Sequence, residues 1–256
     1  MPPPSRPAAA DQPTLSESDG IRYLHFGTEW IQGAMRIKAP AELVLEYTTQ
    51  MMAWLLFLDP PKDEAIGQLG LGAASITRFC MKHTRSPLTV VEWNSQVTAV
   101  CQMFFRLPTS SRLTVHHEDA GAWVADPLNA GRCPVLMVDL YDAQARGPVR
   151  DSVAFYRHCR RVLGEVGVLS VNLFGRHESF EPNIENLRRA FDDRIVLLPE
   201  IEEGNQIVLA FSGPPLAVTP AQLLERAEVV ESKYGLPARR WARALTRHAV
   251  DGMLHF

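Results

Sequence analysis

No stretch of this chain is apolar for long enough to cross a bilayer: the longest run, MMAWLLFL from Met51 to Leu58, falls far short of the about 20 residues that a spanning helix needs. No membrane partner is expected. Basic residues show no excess either, since 26 Lys and Arg stand against 29 Asp and Glu and leave a formal charge of −3. Such a balance lacks the positive footprint of nucleic-acid binding, so no nucleic-acid partner is expected. Cysteine is scarce and unpaired in pattern. Cys80, Cys101, Cys133 and Cys159 form no Cys-x-x-Cys, which argues against a zinc knuckle and reads as buried free thiols in a reducing compartment. His116 and His117 have no further His or Cys close by, so no metal is expected. The opening MPPPSRPAAADQPTLSESDG has no apolar core of a secretion signal, and its Pro, Ala and Ser predict a disordered tail over residues 1–20. A cytoplasmic protein is expected.

What is present is an ordinary globular composition, 46% hydrophobic over 256 residues, enough for one main domain with small additions. Residues 21–58 predict a small N-terminal unit. IRYLHFGTEWIQGAMRI, broken by Gly27 and Gly33, reads as an antiparallel hairpin, and a helix is predicted from Pro40 with an apolar stripe through Leu43, Tyr47, Met51 and Trp54. From residue 59 to 218 strand and helix patterns alternate, with apolar strands near Ala65–Leu69, Leu88–Glu92, Arg112–His116, Val135–Asp139 and Val166–Leu173. Strands of that kind separated by helices predict an α/β fold, a Rossmann-like, doubly wound and mostly parallel sheet. RIVLLPE and NQIVLAFSG predict an antiparallel pair at its edge, and residues 219–256 a C-terminal helical segment.

The chemistry gathers at the strand ends, where ligands of open α/β sheets lie. Gly70 and Gly72 follow the first strand of the alternating region, and Glu92 ends the second. Glycines there let a backbone approach a ligand closely, and an acid at the second strand end can accept both hydroxyls of a ribose. Ser75 stands where a dinucleotide fingerprint has its third glycine, which argues against a nicotinamide cofactor; an S-adenosyl-type ligand is the other reading of the same turn. Asp119 opens a helix after the third strand, placed to accept from an adenine amine. Asp139 ends the fourth strand, with Asp142 one turn on.

On these residues the chain resembles the spermidine synthase (polyamine aminopropyltransferase) family, which shares the class I S-adenosylmethionine methyltransferase fold, over roughly Ile21 to Gly213. The resemblance implies that Gln32, in WIQG, contacts the amino-acid-derived tail of the nucleotide, that Glu92 holds the ribose, and that Glu118 and Asp119 correspond to the pair that reads adenine. It matches Asp139, Asp142, Gly147 and Pro148 to the family's signature loop, with Asp139 and Asp142 as the catalytic acids, and it echoes a substrate-binding motif at Tyr47. It implies decarboxylated S-adenosylmethionine, or S-adenosylmethionine itself, as co-substrate, a small-molecule amine such as putrescine as acceptor, and a homodimer. Ala73 replaces the family's loop Asp, Leu140 its Ser and Ala143 its Pro. These departures keep two alternatives open: a methyltransferase using intact S-adenosylmethionine, and a non-catalytic adenosyl-ligand-binding homologue.

Overall fold

The computed structural model describes residues 12–141, 150–175 and 177–256. It opens with three antiparallel strands, β1 (Thr14–Ser18), β2 (Ile21–His25) and β3 (Gly33–Arg36). The tail predicted over residues 1–20 is corrected here, because β1 pairs with β2 along its whole length, Thr14 opposite His25 and Ser18 opposite Ile21. Every β1 side chain is exposed. Backbone hydrogen bonds hold this strand, and an apolar pattern in the sequence had nothing to report. Residues 1–11 of that predicted tail lie outside the described residues.

The helix predicted from Pro40 is also corrected. It begins only at Glu46, as α1 (Glu46–Gln50), and passes into a 3-10 turn over Met51–Leu56. The carbonyl of Pro40 accepts instead from the buried guanidinium of Arg78, a tertiary demand that overrides local helix preference. The 3-10 stretch is buried on every side, so the one-sided stripe that argued for a longer α-helix does not operate there.

A seven-stranded sheet follows. In chain order its elements are β4 (Ile66–Leu69), α2 (Ser75–His83), β5 (Leu88–Val91), α3 (Ser95–Phe104), β6 (Leu113–His116), α4 (Ala120–Ala125), β7 (Val135–Val138), α5 (Val153–Leu163), β8 (Gly167–Phe174), α6 (Phe180–Phe191), β9 (Ile195–Leu197) and β10 (Asn205–Ser212). The spatial order is β6-β5-β4-β7-β8-β10-β9. Pairs β4/β5, β5/β6, β4/β7 and β7/β8 are parallel, while β10 runs antiparallel to both β8 and β9. The order reverses between β4 and β7, the place where a doubly wound sheet opens a ligand crevice.

The chain ends in α7 (Pro220–Tyr234), β11 (Ala217–Val218) just before it, α8 (Ala238–Thr246) and β12 (Leu254–His255), which returns to pair with β11. Thr219 and Gln222 form a capping box at the start of α7, a sequence-legible start signal. Leu223, Ala227, Val230 and Tyr234 of α7, with Trp241 and Leu245 of α8, share one buried cluster with Trp54, Phe79 and Leu209. The helical segment is therefore part of the main core. The opposite face of the sheet buries Trp123, Tyr156 and Leu187. All four cysteines are free and buried, and among the described residues no helix is long and apolar enough to cross a membrane.

Candidate active site

At the end of β4 the chain turns through Gly70, Leu71 and Gly72 into α2. Gly70 adopts φ +91°, and a Cβ there would lie 2.2 Å from the carbonyl oxygen of Asp139, so only glycine lets the ends of β4 and β7 come this close. Polar side chains that sequence reasoning missed stitch the turn together. Buried Gln68 donates to the Gly70 carbonyl at 2.7 Å and accepts from the Thr77 hydroxyl at 2.8 Å. Beneath it, the Arg78 guanidinium donates to the carbonyls of Ala73, Phe105 and Pro40. Burial lowers Arg78 to about 10, which leaves it charged at neutral pH. Ala74, at the start of α2, sits in the left-handed region at φ +57°, a conformation that costs a residue with a Cβ about 1–2 kcal/mol.

The N-terminal sheet lies directly on this turn. A Cβ on Gly33 would meet the Ala73 methyl at 2.6 Å, and the Gln32 carbonyl lies 3.2 Å from where a Gly72 Cβ would stand. The backbone of Gln32 thus lies against the glycine turn. Ala73 is 2% exposed, with its methyl against Gly33.

Glu92 follows β5 and is buried. One carboxyl oxygen accepts from the Leu71 amide at 3.0 Å and the other from the Asn94 amide at 2.8 Å. Burial raises its pKa, and the two backbone bonds oppose the rise. Trp93 beside it is 56% exposed. Asp119 caps α4 by accepting from the Ala122 amide at 3.0 Å, and its second oxygen accepts from Arg150 at 2.6 and 3.2 Å. Its partial burial pulls the pKa up, but the Arg150 bond and the backbone amides prevail and lower it. Glu118 stands apart from this group: it is exposed, with a carboxyl oxygen 3.7 Å from His116.

Asp139 follows β7 and hydrogen-bonds the Leu69 carbonyl through its own amide at 2.9 Å, which fixes it beside the glycine turn. Its carboxylate accepts from the Asn172 side-chain amide at 2.9 Å and from the Tyr47 hydroxyl. Burial raises the Asp139 pKa and those two bonds oppose it. Burial and the adjacent carboxylate push the Tyr47 phenol well above its usual range, so Tyr47 acts there as a donor. Tyr47 and Asp139, some ninety positions apart, are joined by folding. Asp142, Gly147 and Pro148 lie outside the described residues. Asn172, Gln68 and Arg150 were not predicted. The first two left a signal, since each is a polar residue inside an otherwise apolar strand; Arg150 left none.

A mostly parallel sheet whose order reverses beside a glycine turn, with acids on consecutive strand ends, defines a Rossmann-like protein of the class I S-adenosylmethionine methyltransferase fold. No family model matches the sequence. The chain is 34% identical over 234 residues to the polyamine aminopropyltransferase of Chromobacterium violaceum, covering 90% of this chain and 88% of that one. In three dimensions it is similar to a probable spermidine synthase of Corynebacterium glutamicum, with a TM-score of 0.69, 17% identity and 93% of each chain covered. It is also similar to human methyltransferase-like protein 13 in complex with SAH, with a TM-score of 0.67 and 23% identity, over 75% of this chain and 93% of that one. The chain belongs to the polyamine aminopropyltransferase family and is a transferase.

Proposed function

We propose that the chain moves an aminopropyl group from decarboxylated S-adenosylmethionine to a small amine such as putrescine. The observation that carries this reading is the Asp139 carboxylate, held by Tyr47 and Asn172 next to the glycine turn where the adenosyl ligand belongs. An alkylamine with a lysine-like pKa of about 10.4 is mostly protonated at neutral pH and cannot attack. A carboxylate in this position attracts the ammonium and then takes its proton. The freed nitrogen lone pair forms the new C–N bond at the methylene next to sulfur, the C–S bond breaks toward sulfur, and methylthioadenosine leaves. Holding the two reactants in line supplies much of the remaining acceleration. In this reading Glu92 accepts the ribose hydroxyls, Gln32 meets the tail of the donor, and Asp142 steadies the amine. A homodimer in the cytoplasm completes the reading; β1 is one edge of its sheet among the described residues.

One observation favours a second reading. Ala73, packed under Gly33, offers no carboxylate to the donor's own amine, as a methyltransferase acting on intact S-adenosylmethionine would allow. Product analysis with both sulfonium donors and a panel of amines separates the two. Methylthioadenosine is expected with decarboxylated donor; S-adenosylhomocysteine from intact donor, with no methylthioadenosine, overturns the proposal.

Asp119 is proposed to accept from the exocyclic amine of adenine. Its carboxylate accepts from the Ala122 and Gly121 amides and from Arg150, and in this reading the adenine amine shares it with them. Asp119→Ala is expected to weaken binding of methylthioadenosine more than that of its inosine counterpart, measured by calorimetry. Equal losses, together with a stability drop of about 0.5–2 kcal/mol, would reduce Asp119 to a helix cap.

A further inference from the structure

We infer that Asn172 and Asn205 form an amide relay that holds Asp139 in its reactive orientation as a proton acceptor, making both of them positioning residues for the transfer. The inference rests on the proposed role of Asp139. Asn172 is 1% exposed on β8. Its amide nitrogen donates to Asp139 at 2.9 Å, and its amide oxygen accepts from the Asn205 amide at 3.0 Å. The backbone carbonyl of Asn172 accepts in turn from the Tyr141 hydroxyl at 3.2 Å.

The direction of this chain is set at its far end. A primary amide has one donor side and one acceptor side, and Asn205 occupies the acceptor side of Asn172 with an N–H. Flipping Asn172 would set oxygen against the carboxylate and nitrogen against nitrogen. The donor side is therefore committed to Asp139, which must present a lone pair to it. The titratable groups facing Asp139 among the described residues are Tyr47 from α1 and Tyr141 just after β7, both phenols that stay neutral. Among the described residues no cation shares the duty of keeping the carboxylate ionised against burial, and the amide bond carries it with Tyr47. β8 and β10, which supply the two amides, are antiparallel neighbours inside the sheet, with Asn172 opposite Ile207 and Asn205 opposite Phe174, so the relay is carried by paired strands.

The test is the pH profile of kcat/KM for Asn172→Leu and Asn205→Ala. Losing a hydrogen bond to a charged group should move the acidic limb of Asn172→Leu upward by about one pH unit or more. Asn205→Ala, which touches neither Asp139 nor substrate, should move it the same way by less. Methylthioadenosine affinity should stay within about twofold in both. Reduced activity with the acidic limb in place would overturn the relay, and if Asn172→Leu does not fold, Asn205→Ala decides by the same criterion. A second readout needs no turnover and so separates this inference from the functional proposal. Because burial raises the native pKa of Asp139, ionising it costs native stability as pH rises, and removing the donor increases that cost. Asn172→Leu should therefore lose more thermal stability at about pH 8 than at about pH 5, and the difference should vanish in the Asp139→Asn background. Its persistence in that background would overturn the relay.

Discussion

Asp139→Asn is expected to abolish most turnover while leaving the fold and the affinity for methylthioadenosine nearly intact. The amide is close to isosteric with the acid, and its oxygen can still accept from Asn172 and Tyr47, the two donors that hold the native side chain. What it cannot do is take a proton from the acceptor amine. General-base contributions are typically about a hundredfold to ten-thousandfold, and the loss of the negative charge that attracts the ammonium adds to this. Steady-state rates on the best acceptor check the magnitude, and calorimetry with methylthioadenosine checks the separation of catalysis from binding. In the parent enzyme the raised pKa of Asp139 places a protonated, inactive acid at low pH, so kcat/KM should climb as pH rises through that pKa. Product formation within a few fold of the parent would make Asp139 structural and would remove the chemical support for aminopropyl transfer.

Glu92→Ala carries the second large effect, on binding. If the carboxylate accepts both ribose hydroxyls, each bond to a charged acceptor is worth about 1.5–3 kcal/mol, and losing the pair should weaken methylthioadenosine by about a hundredfold or more. The side chain also ties the Leu71 amide to the Asn94 amide, and two backbone donors left without partners would cost about 1–3 kcal/mol each if they remain buried. Glu92→Gln separates the two effects, since its amide oxygen keeps one backbone bond and accepts one hydroxyl. Its affinity should fall between those of the parent and Glu92→Ala. Unchanged affinity in a folded Glu92→Ala protein would mean that the acid only braces the turn.

The sequence by itself determined the sheet and the strand ends at which the glycine turn and the acids meet. Strands buried on both faces read as nearly continuous apolar runs, and β4, β5 and β7 are such runs, broken only by Gly67, Gln68 and Thr89, with glycine or acid at their ends. Because alternation of strand and helix dictates parallel pairing, Gly70, Glu92 and Asp139 had to arrive at one end of one sheet. Resemblance at those same positions supplied the family before any contact was known. Tertiary structure alone decided three other matters. It paired β1, whose wholly exposed side chains carry no burial pattern. It shortened the helix expected from Pro40, because buried Arg78 claims that residue's carbonyl. And it chose the partners of the site acids, setting Tyr47 and Asn172 on Asp139, Arg150 on Asp119, and His116 beside Glu118. Such choices depend on which side chain lies within about 3 Å of another across the fold, and local periodicity encodes only which face of an element is buried. Gln68 and Asn172 stand between these cases: a polar residue in an apolar strand signals that a buried partner must exist, and only the packed sheet says which one.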